Sequence, residues 1–210
     1  ISTLDLEQNF DLPLLASFYS GVVVAFIAGL LGARFIFGRP WEDSVAIAFC
    51  CSFSNTLLLG LPITERAYGP DALLGNYAII AIHSPFGYML GITAMELARS
   101  HGTPLRRLPR KVAVAMFSNA LVVAIGLGFI VNLGQIQLPE VFTDAVDLMA
   151  RAALPAALFG LGGVLYQYRP EGDMRTVLFV CAVSLGLHPL IVWTMGTASG
   201  LSVDAFRSAI

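Results

Sequence analysis

Apolar and polar positions segregate into long blocks along this chain. Six runs carry no Asp, Glu, Lys or Arg: 12–33, 44–64, 72–95, 112–139, 152–168 and 176–203. Their lengths are 22, 21, 24, 28, 17 and 28 residues, so charge is confined to the segments between them. A bilayer core roughly 30 Å thick takes about 20 helical residues at roughly 1.5 Å each. Five runs meet that length and 152–168 falls just below it. The pattern predicts an all-α polytopic membrane protein with six transmembrane helices.

Composition narrows the class. With 57% hydrophobic and 12% charged residues and a mean hydropathy of +0.77, the chain is not a soluble enzyme domain, a nucleic-acid binder or a disulfide-stapled secreted module. The net charge of −2 adds nothing, because here the distribution matters and the sum does not. Arg34 and Arg39 follow the first run, Arg99, Arg106, Arg107, Arg110 and Lys111 the third, and Arg169 and Arg175 the fifth, which makes nine of the 12 basic residues. Lys and Arg accumulate in cytoplasmic loops. Residues 100–111 are therefore expected in the cytoplasm and 65–71 and 136–147 outside. Trp41, Tyr68, Tyr166 and Tyr168 stand at run ends, where amphipathic rings favour the interface. The chain starts at Ile1, and its first charges, Asp5, Glu7 and Asp11, are unlike the basic start of a signal peptide. A start without Met and a stop directly after an apolar run lead us to expect part of a longer membrane protein.

The segment 100–111 is the only strongly basic linker containing proline, and it separates three runs from three. Two odd-numbered halves would cross the membrane in opposite senses, as inverted transporter repeats do. Small residues recur in the runs, as Gly87-x-x-x-Gly91, Gly126, Gly128, Gly160, Gly162 and Gly163. They suit close helix packing, and a homodimer is the one protein partner they would also allow. Arg151 follows Asp147 by four and Asp144 by seven positions, which reads as a charged helix end or as a functional counter-ion.

Candidate chemistry concentrates in the second run. Ser52, Ser54, Asn55 and Thr56 form a polar patch at its centre, followed by Gly60 and Pro62. Pro62 has no N–H, so a carbonyl one turn earlier loses its partner, and Gly60 relaxes the backbone beside it. Free carbonyls and an amide at membrane depth are costly in lipid and tolerated where they line a cavity. A discontinuous helix of this kind points to a transporter binding site, and a Pro kink packed on its neighbours is the plainer alternative. Two histidines are also deep: His83 before Ser84-Pro85 at the centre of the third run, and His188-Pro189 at the centre of the sixth. Histidine is the group there that titrates near neutral pH. The plainer reading satisfies each ring with the carbonyl freed at the neighbouring proline. Neither has a His, Cys or carboxylate at i+3 or i+4, and Cys50, Cys51 and Cys181 sit in apolar runs. No metal site, cofactor or intramembrane protease is expected.

The stretch Ser52-Phe-Ser-Asn-Thr-Leu-Leu-Leu-Gly-Leu-Pro-Ile-Thr-Glu-Arg-Ala-Tyr-Gly69, with Leu154-Pro-Ala-Ala-Leu-Phe-Gly-Leu-Gly-Gly163 and Leu187-His-Pro-Leu-Ile-Val-Trp193, resembles the auxin efflux carrier family, which includes the plant PIN-FORMED carriers and bacterial malonate-type permeases. The resemblance implies spans three to eight of a ten-span transporter with two inverted five-helix repeats and crossing broken helices. It makes 1–99 the transport-domain helices of the first repeat, 100–111 a linker, 112–168 scaffold helices and 176–210 the start of the second transport-domain half. That register, which pairs the first run with the sixth, displaces the three-plus-three division. It places Asn55 at the substrate-contacting amide and His83 near a polar position of the next helix. Where plant members carry a proline before that Asn, this chain has Ser54, which would shift the break toward Gly60 and Pro62.

The expected function is a secondary active transporter moving a small organic anion, such as a mono- or dicarboxylate, across the cytoplasmic (inner) membrane by alternating access. Substrate-binding candidates are Ser52, Ser54, Asn55, Thr56, Gly60, Pro62 and His83, with His188 as a second-half candidate. The competing class is a non-transporting membrane scaffold or partner subunit whose polar patch only joins helices. The anion and the lipid bilayer are the expected partners, and nucleic acid is not.

Overall fold

The computed structural model describes residues 11–99, 108–118, 120–167 and 173–210, and every regular element among them is helical. Helix α1 spans Leu12–Phe35; the Asp11 carboxylate accepts from the Leu14 N–H at 3.0 Å, with Pro13 in the first turn. Helix α2, Trp41–Ser52, starts after Pro40 with Glu42 and Asp43 at its positive end. The chain then leaves helical geometry at Phe53 (φ −94°, ψ 97°), re-enters through a π-turn at Thr56–Gly60, and continues as α3, Leu61–Tyr68. A 3₁₀ turn at Pro70–Leu73 leads into α4, Leu74–Arg99. Then come α5 (Leu108–Phe117), α6 (Ala120–Leu133) and α7 (Glu140–Gln167). Helix α8 (Met174–Ala182) runs through a π-turn at Val183–Leu187 into α9, His188–Ser199. Gly200, left-handed at φ 70°, ends α9, and the Ser202 hydroxyl caps the short α10, Val203–Ala209.

Among the described residues, four stretches are long and apolar enough to cross a membrane: Leu12–Phe35, Leu74–Arg99, Glu140–Val164 and Met174–Ser199. They contain the first run and most of the third, fifth and sixth. Of the other two runs, the second was expected to be discontinuous. The second is the broken pair α2 and α3, and the fourth divides into α5 and α6 around Ser118. There the Ser118 N–H closes the last turn of α5 on the Val114 carbonyl at 3.0 Å, and the Ser118 hydroxyl bonds the same carbonyl at 2.7 Å, a side-chain back-bond of the kind that bends helices. The segment 100–111 includes the start of α5 at Leu108, with Pro109 in its first turn. Its remainder up to Arg107 lies outside the described residues, as do Asp5, Glu7, Tyr168 and Arg169.

Helix α1 is the centre of the packed part. Its buried positions, among them Leu14, Phe18, Val22, Ala25, Phe26, Gly29 and Ala33, recur at helical spacing. One group packs with Ile79, Val192, Ala205 and Ala209, a second with Cys51 and Val183, and a third with Val45 and Ala48. The result clamps α1 between α2 and α9, with α4 laid along α2. Gly87 and Gly91 belong to this packing: a side chain at either would strike Phe53 or Phe49 of α2 and its end. The spacing therefore seats two aromatic rings of the same chain. By contrast, every described side chain of α7 is exposed, including Asp144, Asp147 and Arg151 in its first half.

Candidate functional site

The break at residues 53–55 sits between a helix that ends and a π-turn that begins. Phe53 still donates to the Phe49 carbonyl at 2.8 Å, closing α2. Ser52, buried, places its hydroxyl 3.3 Å from the same carbonyl. On the far side the Asn55 carbonyl accepts two N–H groups, from Leu59 at 3.2 Å and Gly60 at 3.1 Å. That double acceptance winds the wide turn. Pro62 then falls in the first turn of α3, where its missing N–H breaks no intrahelical bond. Gly60 is helical, at φ −60° and ψ −53°. The break is thus not at Gly60 and Pro62, as expected from their breaker chemistry, but at Phe53-Ser54-Asn55, upstream of both.

His83 of α4 holds this break. Its Nε2 stands 3.1 Å from the Ser54 carbonyl, a group that helix α2 no longer uses. The ring is stacked on Phe53 at 4.7 Å and 21°, meets Phe18 of α1 in a T-shaped contact at 5.5 Å, and lies 6.3 Å from the Tyr19 ring. Tyr19 donates its hydroxyl to the Ile79 carbonyl at 3.0 Å, which locks its ring beside the site. His83 therefore takes a carbonyl from another helix rather than the one freed at Pro85. His188 is buried on the same Phe18 ring, in a T-shaped contact at 5.2 Å, and hydrogen-bonds the backbone of Phe18. Its close approach needs Gly21, where a Cβ would come within 2.9 Å of the imidazole.

The candidates fall into three sets. Ser54 and His83 are in direct contact, and Ser52 lies just before them. Thr56 and Gly60 share the π-turn, with the Thr56 Cβ and the Asn55 carbonyl nearest to a Cβ placed at Gly60, at 3.7 and 3.9 Å. The Asn55 side chain is exposed beside that turn. His188 meets the Phe18 ring that also meets His83. Asn76, Phe18, Tyr19 and Phe53 escaped the sequence reading. Asn76 is buried, its amide donates to the Thr64 hydroxyl at 3.3 Å, and it lies 4.0 Å from a Cβ placed at Gly60. A signal existed for it: Asn76 and His83 are seven positions apart on α4, two turns along one face. Unpaired polar atoms also gather here, at Ser54 Oγ, Asn76 Oδ1 and His83 Nδ1.

At the end of the packed unit that holds Arg39, charge is arranged differently. Asp173 caps α8 by accepting from the Arg175 N–H at 3.1 Å and the Thr176 hydroxyl at 2.9 Å, and it pairs with Arg39 at 3.3 Å. These contacts, led by the Thr176 hydroxyl, hold its carboxyl below the ordinary aspartate value. The Arg34 guanidinium bonds the Arg39 carbonyl at 2.9 Å and covers the Trp41 ring at 5.1 Å. The loop between α1 and α2 is thereby tied to the start of α8.

Long apolar helices around a helix interrupted by polar groups define a multi-pass membrane protein, of the class that handles a solute inside the bilayer. The sequence profile of the membrane transport protein family, the auxin efflux carriers, matches residues 1–210, and the chain belongs to that family. Among curated proteins and solved structures, nothing matches it.

Proposed function

We propose that this chain acts in a secondary active transporter that carries a small organic anion, a mono- or dicarboxylate, across the cytoplasmic membrane by alternating access. The observation that supports the reading is the helix break at Phe53-Ser54-Asn55, where main-chain and side-chain polar groups stand in the middle of an otherwise apolar run. Lipid tolerates such groups only where protein or a water-filled cavity meets them. Asn55 supplies an amide donor for a carboxylate oxygen, and the π-turn after it directs N–H groups toward the break. His83 fixes the main chain at the other side of the gap. Residues 100–111 face the cytoplasm in this reading, and 112–168 form the scaffold against which the broken-helix unit moves.

The test is flux of radiolabelled malonate, succinate and a monocarboxylate into proteoliposomes. Asn55→Ala is expected to remove a donor to the carboxylate, and a hydrogen bond to a charged group contributes about 1.5–3 kcal/mol, which is roughly a 10- to 150-fold loss of affinity. A folded, inserted Asn55→Ala protein with unchanged affinity would assign Asn55 to helix packing and end this reading of the site.

A further inference from the structure

His83 has a second nitrogen that the fold leaves without a partner. The side chain is 2% exposed. A carbonyl only accepts, so the Nε2 that faces the Ser54 oxygen carries the hydrogen of the neutral ring. Nδ1 is then a bare lone pair, buried and unpaired. An acceptor left dry in this way costs free energy, so the site is one donor short. His188 Nε2 is also unpaired, but it packs against Gly21 of α1 rather than the break.

The surroundings offer a protonated ring one aromatic face and no counter-charge. The face of Phe53 lies against the imidazole at 4.7 Å, a geometry that favours a charged ring over a neutral one. The titratable groups around it are Tyr19 on α1, committed to the Ile79 carbonyl, and His188 on α9. Phe53 and Ser54, from the end of α2, do not titrate, and Tyr88 on α4 meets the Phe53 ring at 5.6 Å and the Phe49 ring at 6.2 Å. Among the described residues, this set contains no carboxylate and no Lys or Arg. A proton added at Nδ1 therefore finds no counter-charge among the described residues.

We propose that His83 is the coupling site: each anion crosses together with one proton held on His83 Nδ1. This rests on the transporter reading above. The carboxylate at the break supplies the counter-charge that the imidazolium lacks, and the imidazolium supplies a donor, so each raises the affinity for the other. A lone charge at membrane depth is costly, which disfavours crossing with only one of the two bound. The proton comes from water on the loading side and returns to water on the release side, and no other bond changes. With a monocarboxylate the loaded form is electroneutral.

The experiment uses proteoliposomes clamped at zero membrane potential, acid outside, with radiolabelled malonate, succinate and a monocarboxylate. Coupling to one proton accumulates a monocarboxylate by up to about tenfold per pH unit of gradient. His83→Gln keeps an amide donor for the Ser54 carbonyl but cannot take a proton. It is expected to lose the accumulation, with residual flux that only equilibrates. A second measurement covers the case in which the variant misfolds: the wild-type protein in weakly buffered detergent should take up protons when malonate binds. Flux that ignores the pH gradient, accumulation that survives in His83→Gln, or substrate binding without proton uptake overturns the proposal and leaves the transporter reading standing. Absence of flux and binding for all three probes overturns both.

Discussion

Gly29 and Gly60 test the packing in opposite directions with one and the same substitution. Gly29 lies where α1 and α2 come closest: a Cβ there would stand 2.9 Å from the Cα of Ala48 and from the Cβ and Sγ of Cys51. Neither neighbour can yield, since one contact is backbone, the other is a short side chain, and both residues are buried. Carbon atoms rest at about 3.5–4.0 Å, so Gly29→Ala must separate the helices by roughly 0.5–1 Å and forfeit roughly a quarter to a half of the dispersion energy of each pair it opens. Overpacking of this kind costs about 1–3 kcal/mol. Gly60 is helical, and a Cβ there meets nothing closer than 3.7 Å. Gly60→Ala should therefore stabilise by about 0.5–1 kcal/mol, by removing the backbone entropy of glycine. The assay is thermal unfolding of both variants and wild type in one detergent, followed by tryptophan fluorescence. Gly29→Ala should melt lower than wild type and Gly60→Ala at or above it. If Gly29→Ala melts with wild type while Gly60→Ala falls, the crossing of α1 on α2 is looser than described and the π-turn is not helical at Gly60.

Three further outcomes are expected. Asn55→Asp should bind carboxylates more weakly than Asn55→Ala, because it adds repulsion to the lost donor, and equal affinities in a binding titration would refute that. Asp173 is depressed in the folded state, so its stabilising contribution is present above its unfolded value of about 3.9 and is lost as pH falls through the lower folded value. Asp173→Asn should flatten that acid limb in unfolding midpoints, and an unchanged limb would remove Asp173 from the account. A single cysteine at position 103 should resist membrane-impermeant thiol reagents on intact cells, and labelling from outside would invert the orientation.

Span lengths were legible because the bilayer sets them. A charge-free run of 12–33 matches the helix Leu12–Phe35, and 72–95 matches Leu74–Arg99. The fifth run was read too short for a physical reason: its helix starts at Glu140 and carries Asp144, Asp147 and Arg151 in its first half, where a charge criterion stops. The break was misplaced because Pro62 looks like a breaker in sequence, yet a proline in the first turn of a helix removes nothing. What opens the chain at Phe53–Asn55 is answered 29 positions away, by His83 on the Ser54 carbonyl, and no local window contains that contact. Depth and the resemblance singled out His83. Phe18, Tyr19 and Phe53 were not legible, since an aromatic residue in an apolar run reads equally as lipid-facing or buried.

The bond between His83 and the break also explains a tolerance. Its acceptor is a main-chain oxygen, which every amino acid presents, so the side chain at position 54 is released from any part in the bond. Serine here, or a proline as the resemblance to plant carriers would have it, offers the same oxygen. Phe53, already extended at φ −94° and ψ 97°, has the backbone that a following proline requires. Variation at 54 can thus change the side chain carried at the break while the grip on the chain persists. Position 83 has no such latitude: few side chains span that distance with a ring that both donates to a carbonyl and stacks on a phenylalanine.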